Sequence, residues 1–293
     1  MTKTAPTSTT STTMVEYLQD LATNSFLRYS LIAGLIASIS FGVVGTYVVA
    51  RRITYIAGAV AHCALGGIGA ALYAQKVLGW GWCDPIYGAL VVSVGSALVI
   101  GCVTLRGSER EDTIIGALWA TGMAIGFLFI QKIPGSVSTT TYLFGDINIV
   151  STTDVWLTSI LALVVIVLAY LYHKQFVAIS FDEEFARVRG VPVSLFYLLL
   201  LCLTAVTVVI LVRIVGIIMV IALLTLPSAI ASRFGRGFFQ IMLISSLLCM
   251  LFISSGLAIS YSIETVTGPT IILIAAATYF ISLLIPRLRE KGI

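Results

Sequence analysis

Apolar residues run through this chain in long blocks separated by short polar breaks. Blocks of membrane-spanning length lie near 26–50, 54–75, 85–105, 113–131, 154–172, 193–212, 215–231, 238–260 and 268–286, each close to the roughly 20 residues that a helix needs to cross a hydrocarbon core. Hydrocarbon offers no partner to a backbone amide, so each block must close its own hydrogen bonds as a helix. Alternating ten-residue segments, the mark of a membrane barrel, are absent. The pattern predicts an all-α polytopic membrane protein with about nine transmembrane helices.

Two places in this pattern are irregular. Arg213 splits a very long apolar stretch, and a charge at a bilayer centre costs about 3 kcal/mol on insertion scales. A tight turn at a membrane face is therefore expected there, with Gly216 suited to a turn or a close helix approach. Pro227 stands inside an apolar block and removes one helical hydrogen bond, which Thr225 or Ser228 is expected to replace. Such a break serves as a hinge or as an ordinary packing kink.

Composition agrees with the membrane reading. Of 293 residues, 59% are hydrophobic and 10% charged, with a mean hydropathy of +1.06, whereas soluble domains carry about 25% charged residues. Basic residues are retained on the cytoplasmic side. Placing Arg51, Arg52, Arg106, Arg110, Lys174, Arg187, Arg189, Arg233, Arg236, Arg287, Arg289 and Lys291 there puts the N-terminus outside and the C-terminus in the cytoplasm. Lys3, Arg28, Lys76, Lys132 and Arg213 then fall outside or at the outer face. The net charge of +4 reports this topology and gives nucleic-acid binding little support. Residues 1–25 form a Ser/Thr-rich tail and entry segment, whose first dozen or so residues are too polar to bury a core. Residues 26–286 form the membrane domain, and 287–293 a basic C-terminus. No basic region leads directly into a short apolar segment, so the first spanning helix is the expected insertion signal. Cys63, Cys83, Cys102, Cys202 and Cys249 form no C-x-x-C pair and read as packing residues.

The most organised polar break is Ser180–Pro192, where Asp182, Glu183 and Glu184 are followed by Arg187, Arg189 and Gly190. Acids before bases suit a short helix, and Gly190 suits its end before Pro192 opens the next span. Phe181 and Phe185, four apart, are expected to offer an apolar face to a groove, where the plainer alternative is a connector at the lipid surface. The chain has no G-x-x-x-x-G-K-[ST] loop and no soluble stretch large enough for a nucleotide-binding domain. If ATP powers it, another chain hydrolyses the ATP. His62 and His173 have no triad context that would suggest a hydrolase. His62 is the ionisable side chain most costly to keep in its span, and its neighbours Ala57, Gly58, Ala61, Gly66 and Gly67 let that helix pack closely or leave space for a pore. His62 and Cys63, being adjacent, are expected to point to different sides.

Five segments occur in order: Arg51 to Gly67, Tyr142 to Asp146, Phe181 to Pro192, Gly216 to Pro227, and Gly268-Pro-Thr-Ile-Ile-Leu. Together they resemble the membrane permeases of the ABC-3 family, which import zinc, manganese or iron, over roughly 26–286. The resemblance implies a fold of the vitamin B12 permease type, known as a type II ABC importer. It also implies a second permease subunit, the same or related, with ATPase subunits on the cytoplasmic face and an extracytoplasmic metal-binding protein. It implies no permanently bound cofactor, with the ion as cargo and the ATP used by the partner ATPase. The location implied is the plasma membrane, or the inner membrane of a two-membrane cell.

The docking loop would then present Phe181, Asp182, Glu183, Glu184, Phe185, Arg187, Arg189 and Gly190 to the ATPase. His62 matches the histidine of the family pattern Gly-Asp-x-x-x-His, but Gly58 stands where the aspartate should. His62 therefore reads as a transient pathway ligand or as a structural histidine bonded to a neighbouring helix. Glu264 reads as a metal-attracting acid at the outer mouth or as a solvated loop acid, and Asp146 as a weak metal ligand or a turn cap. A permease for an iron chelate or a corrin shares the architecture. A secondary transporter would need more intramembrane carboxylates and an inverted repeat.

Overall fold

The structure, a computed structural model, describes residues 24–107, 110–134, 143–145, 150 and 152–285. The Ser/Thr-rich tail, the basic C-terminus and Asp146 lie outside the described residues. Among those described, the chain is helical and contains no strand: α1 (Ser25–Ala50), α2 (Thr54–Lys76), α3 (Pro85–Arg106), α4 (Glu111–Gln131), α5 (Thr152–Leu171), α6 (His173–Phe181), α7 (Glu183–Val188), α8 (Val193–Val215), α9 (Ile217–Phe234), α10 (Phe238–Ile263) and α11 (Thr267–Leu284). Eight of these are long and apolar enough to cross a membrane among the described residues, and α8 adds a further apolar helix of 23 residues.

The long helices alternate in direction. At one end the α1–α2 turn meets α6 and α7 through Arg51, the start of α10 meets α1 and α6 through Phe238, and Arg233 at the end of α9 donates to the Ile285 carbonyl at 3.0 Å. At the other end the α8–α9 turn and the start of α11 meet Leu143–Gly145.

The helix break falls at Gly216, not at Arg213. α8 continues through Arg213 to Val215, and Gly216 alone separates it from α9 with φ +83°. The turn needs a positive φ, which glycine adopts at no steric penalty. It also needs space, because a Cβ at 216 would lie 2.3 Å from the Gly145 nitrogen.

α2 is the central helix, with residues buried along nearly its whole length between α3 and α4. Its small residues serve close packing. A Cβ at Gly67 would stand 2.2 Å from the Gly88 carbonyl oxygen of α3, and one at Gly122 of α4 would stand 2.7 Å from the Cys63 Cα. Such approaches bring backbones into contact and supply the dispersion that replaces the hydrophobic effect between helices in lipid. A second group, α1 with α9, α10 and α11, joins the first through α8.

Pro227 lies within α9 without ending it. The carbonyl it leaves free is that of Leu223, and neither Thr225 nor Ser228 takes its place. Thr225 bonds the Ile221 carbonyl at 2.9 Å, and Ser228 meets Ser245 of α10 at 2.8 Å. The Leu223 oxygen instead accepts from the Cys249 thiol of α10 at 3.5 Å. A serine or threonine hydroxyl reaches the carbonyl three or four residues before it, so neither could cover Leu223, and a neighbouring helix does.

Gly67→Val should destabilise the bundle by about 2 kcal/mol, because the added atoms collide with backbone that cannot rotate away. A thermal scan of the purified permease would read this as a lower midpoint, with Gly95→Ala as the control, since a Cβ there meets nothing within 4 Å.

Candidate functional site: a projecting helix and a buried imidazole

At the Arg51 end, α7 is a short helix with a defined start and stop. Asp182 is extended, and its carboxylate accepts from the Phe185 amide at 2.9 Å, satisfying a donor that the helix leaves free. The acids Glu183 and Glu184 stand in the first turn, where the helix dipole favours them. Gly190 takes φ +78° and closes the far end, with the Val191 amide bonded to the Ala186 carbonyl at 3.0 Å. Ala186 is buried, while Asp182, Glu184, Arg187 and Arg189 are exposed.

The exposed apolar face of α7 is Phe185 with Val188, which are 54% and 87% exposed. Phe181 is also exposed but ends α6, and the extended Asp182 separates it from Phe185. The spacing of four therefore does not place the two phenylalanines on one helix. Phe181 packs instead on Phe238, ring centres 6.0 Å apart, and the Arg189 guanidinium lies 5.1 Å from the Phe185 ring centre. Val188 carries no chemistry of its own and is found only once α7 is known to be a separate helix.

Beneath α7 sits an aromatic knot that the sequence did not announce. Tyr47 of α1 is fully buried, its hydroxyl 2.8 Å from the His173 Nδ1. Its ring packs on Phe176 and Phe238 at centre distances of 5.3 and 5.2 Å. The knot fastens α1, α6 and α10 where the projecting helix is rooted. His173, passed over for want of a catalytic partner, is part of that root.

His62 lies about 12 Å along α2 from its Thr54 start, at the helical rise of 1.5 Å per residue. It is 8% exposed, and its Nδ1 has no hydrogen-bond partner. Its ring stacks on Trp119 of α4, centres 4.3 Å apart and planes 21° from parallel. Cys63 reaches the same helix, its thiol donating to the Leu118 carbonyl at 3.2 Å. The two neighbours on α2 thus meet two neighbours on α4, so the different sides expected of adjacent residues both face that one helix. Trp119 also covers position 58, where a Cβ would stand 3.1 Å from the indole.

Glu264 is not part of this place. It caps α10 at the end away from Arg51, exposed and left-handed at φ 54°. At that end the segment Leu143–Gly145 is wedged between two glycines, and a Cβ on Gly268 would lie 2.2 Å from the Phe144 oxygen. Among the described residues, no three His, Cys, Asp or Glu side chains come together as a metal site.

The architecture is that of ABC importer permeases. The chain belongs to the ABC 3 transport family, which it matches over residues 23–286. It is 40% identical to a probable metal transport system membrane protein of Chlamydia pneumoniae, over 92% of this chain and 94% of that protein. It is 31% identical to the manganese transport system membrane protein MntC of Listeria monocytogenes, over 92% and 93% respectively. Among solved structures, PsaBC from Streptococcus pneumoniae in complex with a Fab superposes with a TM-score of 0.84 at 28% identity, covering 95% of this chain and 98% of that one.

Gly58→Asp should lower stability by about 1–3 kcal/mol, since the new side chain displaces Trp119 and buries a carboxylate. Adding Trp119→Ala opens the space and sets the introduced carboxylate and the His62 imidazole four residues apart on one helix face. The double variant alone should gain thermal stability on adding zinc or manganese ions. A gain in the unmodified protein of the same size would contradict this account of position 58.

Proposed function

We propose that this chain is the membrane permease subunit of an ATP-binding cassette importer that moves a divalent transition metal ion. Two permease subunits enclose the passage, separate ATPase subunits dock at the Arg51 end in the cytoplasm, and an extracytoplasmic binding protein delivers the ion at the Glu264 end. The observation that carries this reading is α7. It is a capped helix with an exposed Phe185–Val188 face rimmed by charge, rooted in the bundle and suited to an apolar groove on a partner. The basic residues gathered at the same end support its placement in the cytoplasm.

The permease makes no covalent bond. The binding protein releases a dehydrated ion into the central passage, and ATP-driven closure of the partner ATPases moves α7 and reopens the passage on the other side. His62 offers a neutral imidazole nitrogen as a transient donor, a ligand common to zinc, manganese and iron. One weak donor per subunit suits conduction, since an ion held tightly would not leave. Glu264 at the rim acts on capture rate, where an exposed carboxylate attracts cations at long range. The manganese relatives make that ion the first to test.

ATP-dependent uptake of manganese, zinc and ferrous ions into vesicles holding the permease with its ATPase and binding protein would decide between the ions. One ion should accumulate only with ATP. His62→Ala should slow its uptake on the order of tenfold, and reversing the charges of Asp182, Glu183 and Glu184 should abolish it in an expressed permease. A complete complex that accumulates none of the three ions would remove the free-metal reading and favour a chelated metal as cargo.

A further inference from the structure

Arg51 is the first residue of the α1–α2 turn, and three elements meet its guanidinium. One amino group donates to the Ile179 carbonyl of α6, and the other pairs with the Glu183 carboxylate in the first turn of α7. The guanidinium carbon lies 5.0 Å from the ring centre of Tyr197 in α8. The Arg51 side chain is only 14% exposed, against 42% for Glu183. The arginine is thus enclosed by the bundle, and the acid is the accessible partner. A planar fork that stacks and donates in two directions is specific to arginine.

The connection from Arg51 to α2 is stiff. Its amide bonds the Tyr47 carbonyl at 2.9 Å, the Arg52 amide bonds Val49 at 3.1 Å, and the Ile53 amide bonds Val48 at 3.0 Å. Arg52 is left-handed at φ 62°, a conformation that a side-chain-bearing residue keeps only when its surroundings impose it. All three amides of the turn are thus bonded to the last turn of α1. Beyond it α2 is packed on α3 and α4 through backbone contacts and carries His62.

We infer that Arg51 is the positioning residue that transmits movement of α7 to α2, and so links docking of the partner ATPase to the level of His62. The inference rests on the importer reading above. Through the Glu183 pair, a shift of α7 pulls on Arg51, and the tight turn passes the shift to the start of α2. The Ile179 and Tyr197 contacts hold the guanidinium so that the shift is not lost in side-chain rotation. A purely structural role would make the same contacts but would not link ATP use to transport.

The test measures ion uptake and ATP hydrolysis on the same vesicles of the full complex, with whichever of manganese, zinc or ferrous ion the unmodified complex accumulates. Arg51→Gln should lower the ions moved per ATP on the order of tenfold, while hydrolysis stays within about threefold. Glu183→Gln should lower the same ratio, and the double variant should lower it by less than the product of the two single losses, the signature of two residues acting through one contact. Uptake and hydrolysis falling in parallel, or an unchanged ratio, would overturn the inference. If the glutamine variant does not assemble, Arg51→Lys carries the test, because it keeps the charge and loses the fork. A ratio lowered about threefold supports the inference, and an unchanged ratio overturns it. No uptake by the unmodified complex is a different failure, that of the importer reading itself.

Discussion

The structure depends on one constraint, that a polar group inside hydrocarbon must find its partner within the protein. Hydroxyls in the spans meet it by bonding back one turn, as Thr46 does to the Gly42 carbonyl at 2.6 Å and Thr204 to the Leu200 carbonyl at 2.8 Å. Where a span must lose a hydrogen bond, a neighbour supplies the missing group, as Cys249 does beneath Pro227. Against that background the His62 Nδ1 stands out: a buried ring nitrogen in a span with no partner. A structural histidine bonded to the next helix was the competing reading of this residue. Among the described residues that bond is not made at Nδ1, and the ring stacks on Trp119.

The same constraint accounts for where the recognisable segments end up. The five stretches that carry the family resemblance gather at two places. Arg51 to Gly67 and Phe181 to Pro192 meet through Arg51 and Glu183. The Leu143–Gly145 part of the second stretch meets Gly216 and Gly268, the opening residues of the last two. Backbone outside a regular helix is tolerable at hydrocarbon depth only where other protein covers it or a water-filled cavity meets it. Glycines that admit such backbone, and an arginine that can bond a carbonyl and a carboxylate at once, are the residues able to provide that cover.

Much of the fold was legible because spanning length and apolarity are local properties. Helix starts and the Gly190 stop follow from rules that act within four residues. The site was less legible because its decisive relations lie between elements. Gly216 was visible as a turn residue, but Arg213 drew the expected break because a charge in an apolar run is the louder signal. The spacing of Phe181 and Phe185 did not mark one helix face, because a spacing of four means a shared face only if one helix holds both, and Asp182 caps a new helix between them. Cys249, Tyr47 and Trp119 were invisible as partners, since nothing in their own stretches says which carbonyl or ring they meet.

Trp119 changes what the loss of the aspartate at position 58 means. A carboxylate beside His62 would form a tighter ion site, but without an ion it would be a buried anion, whose desolvation costs several kcal/mol unless it is paired. With Gly58, the indole fills the space and the imidazole rests on its face, so no buried carboxylate stands at that position beside the imidazole. The two arrangements place the free-energy cost in different states. With His62 as the proposed pathway ligand, an Asp–His pair would be costly when empty and hold its ion well, whereas a Trp–His stack would be comfortable when empty and hold an ion weakly. For a permease, whose task ends only when the ion leaves, a weaker hold lowers the barrier to release, and it leaves selection among ions to whatever delivers them.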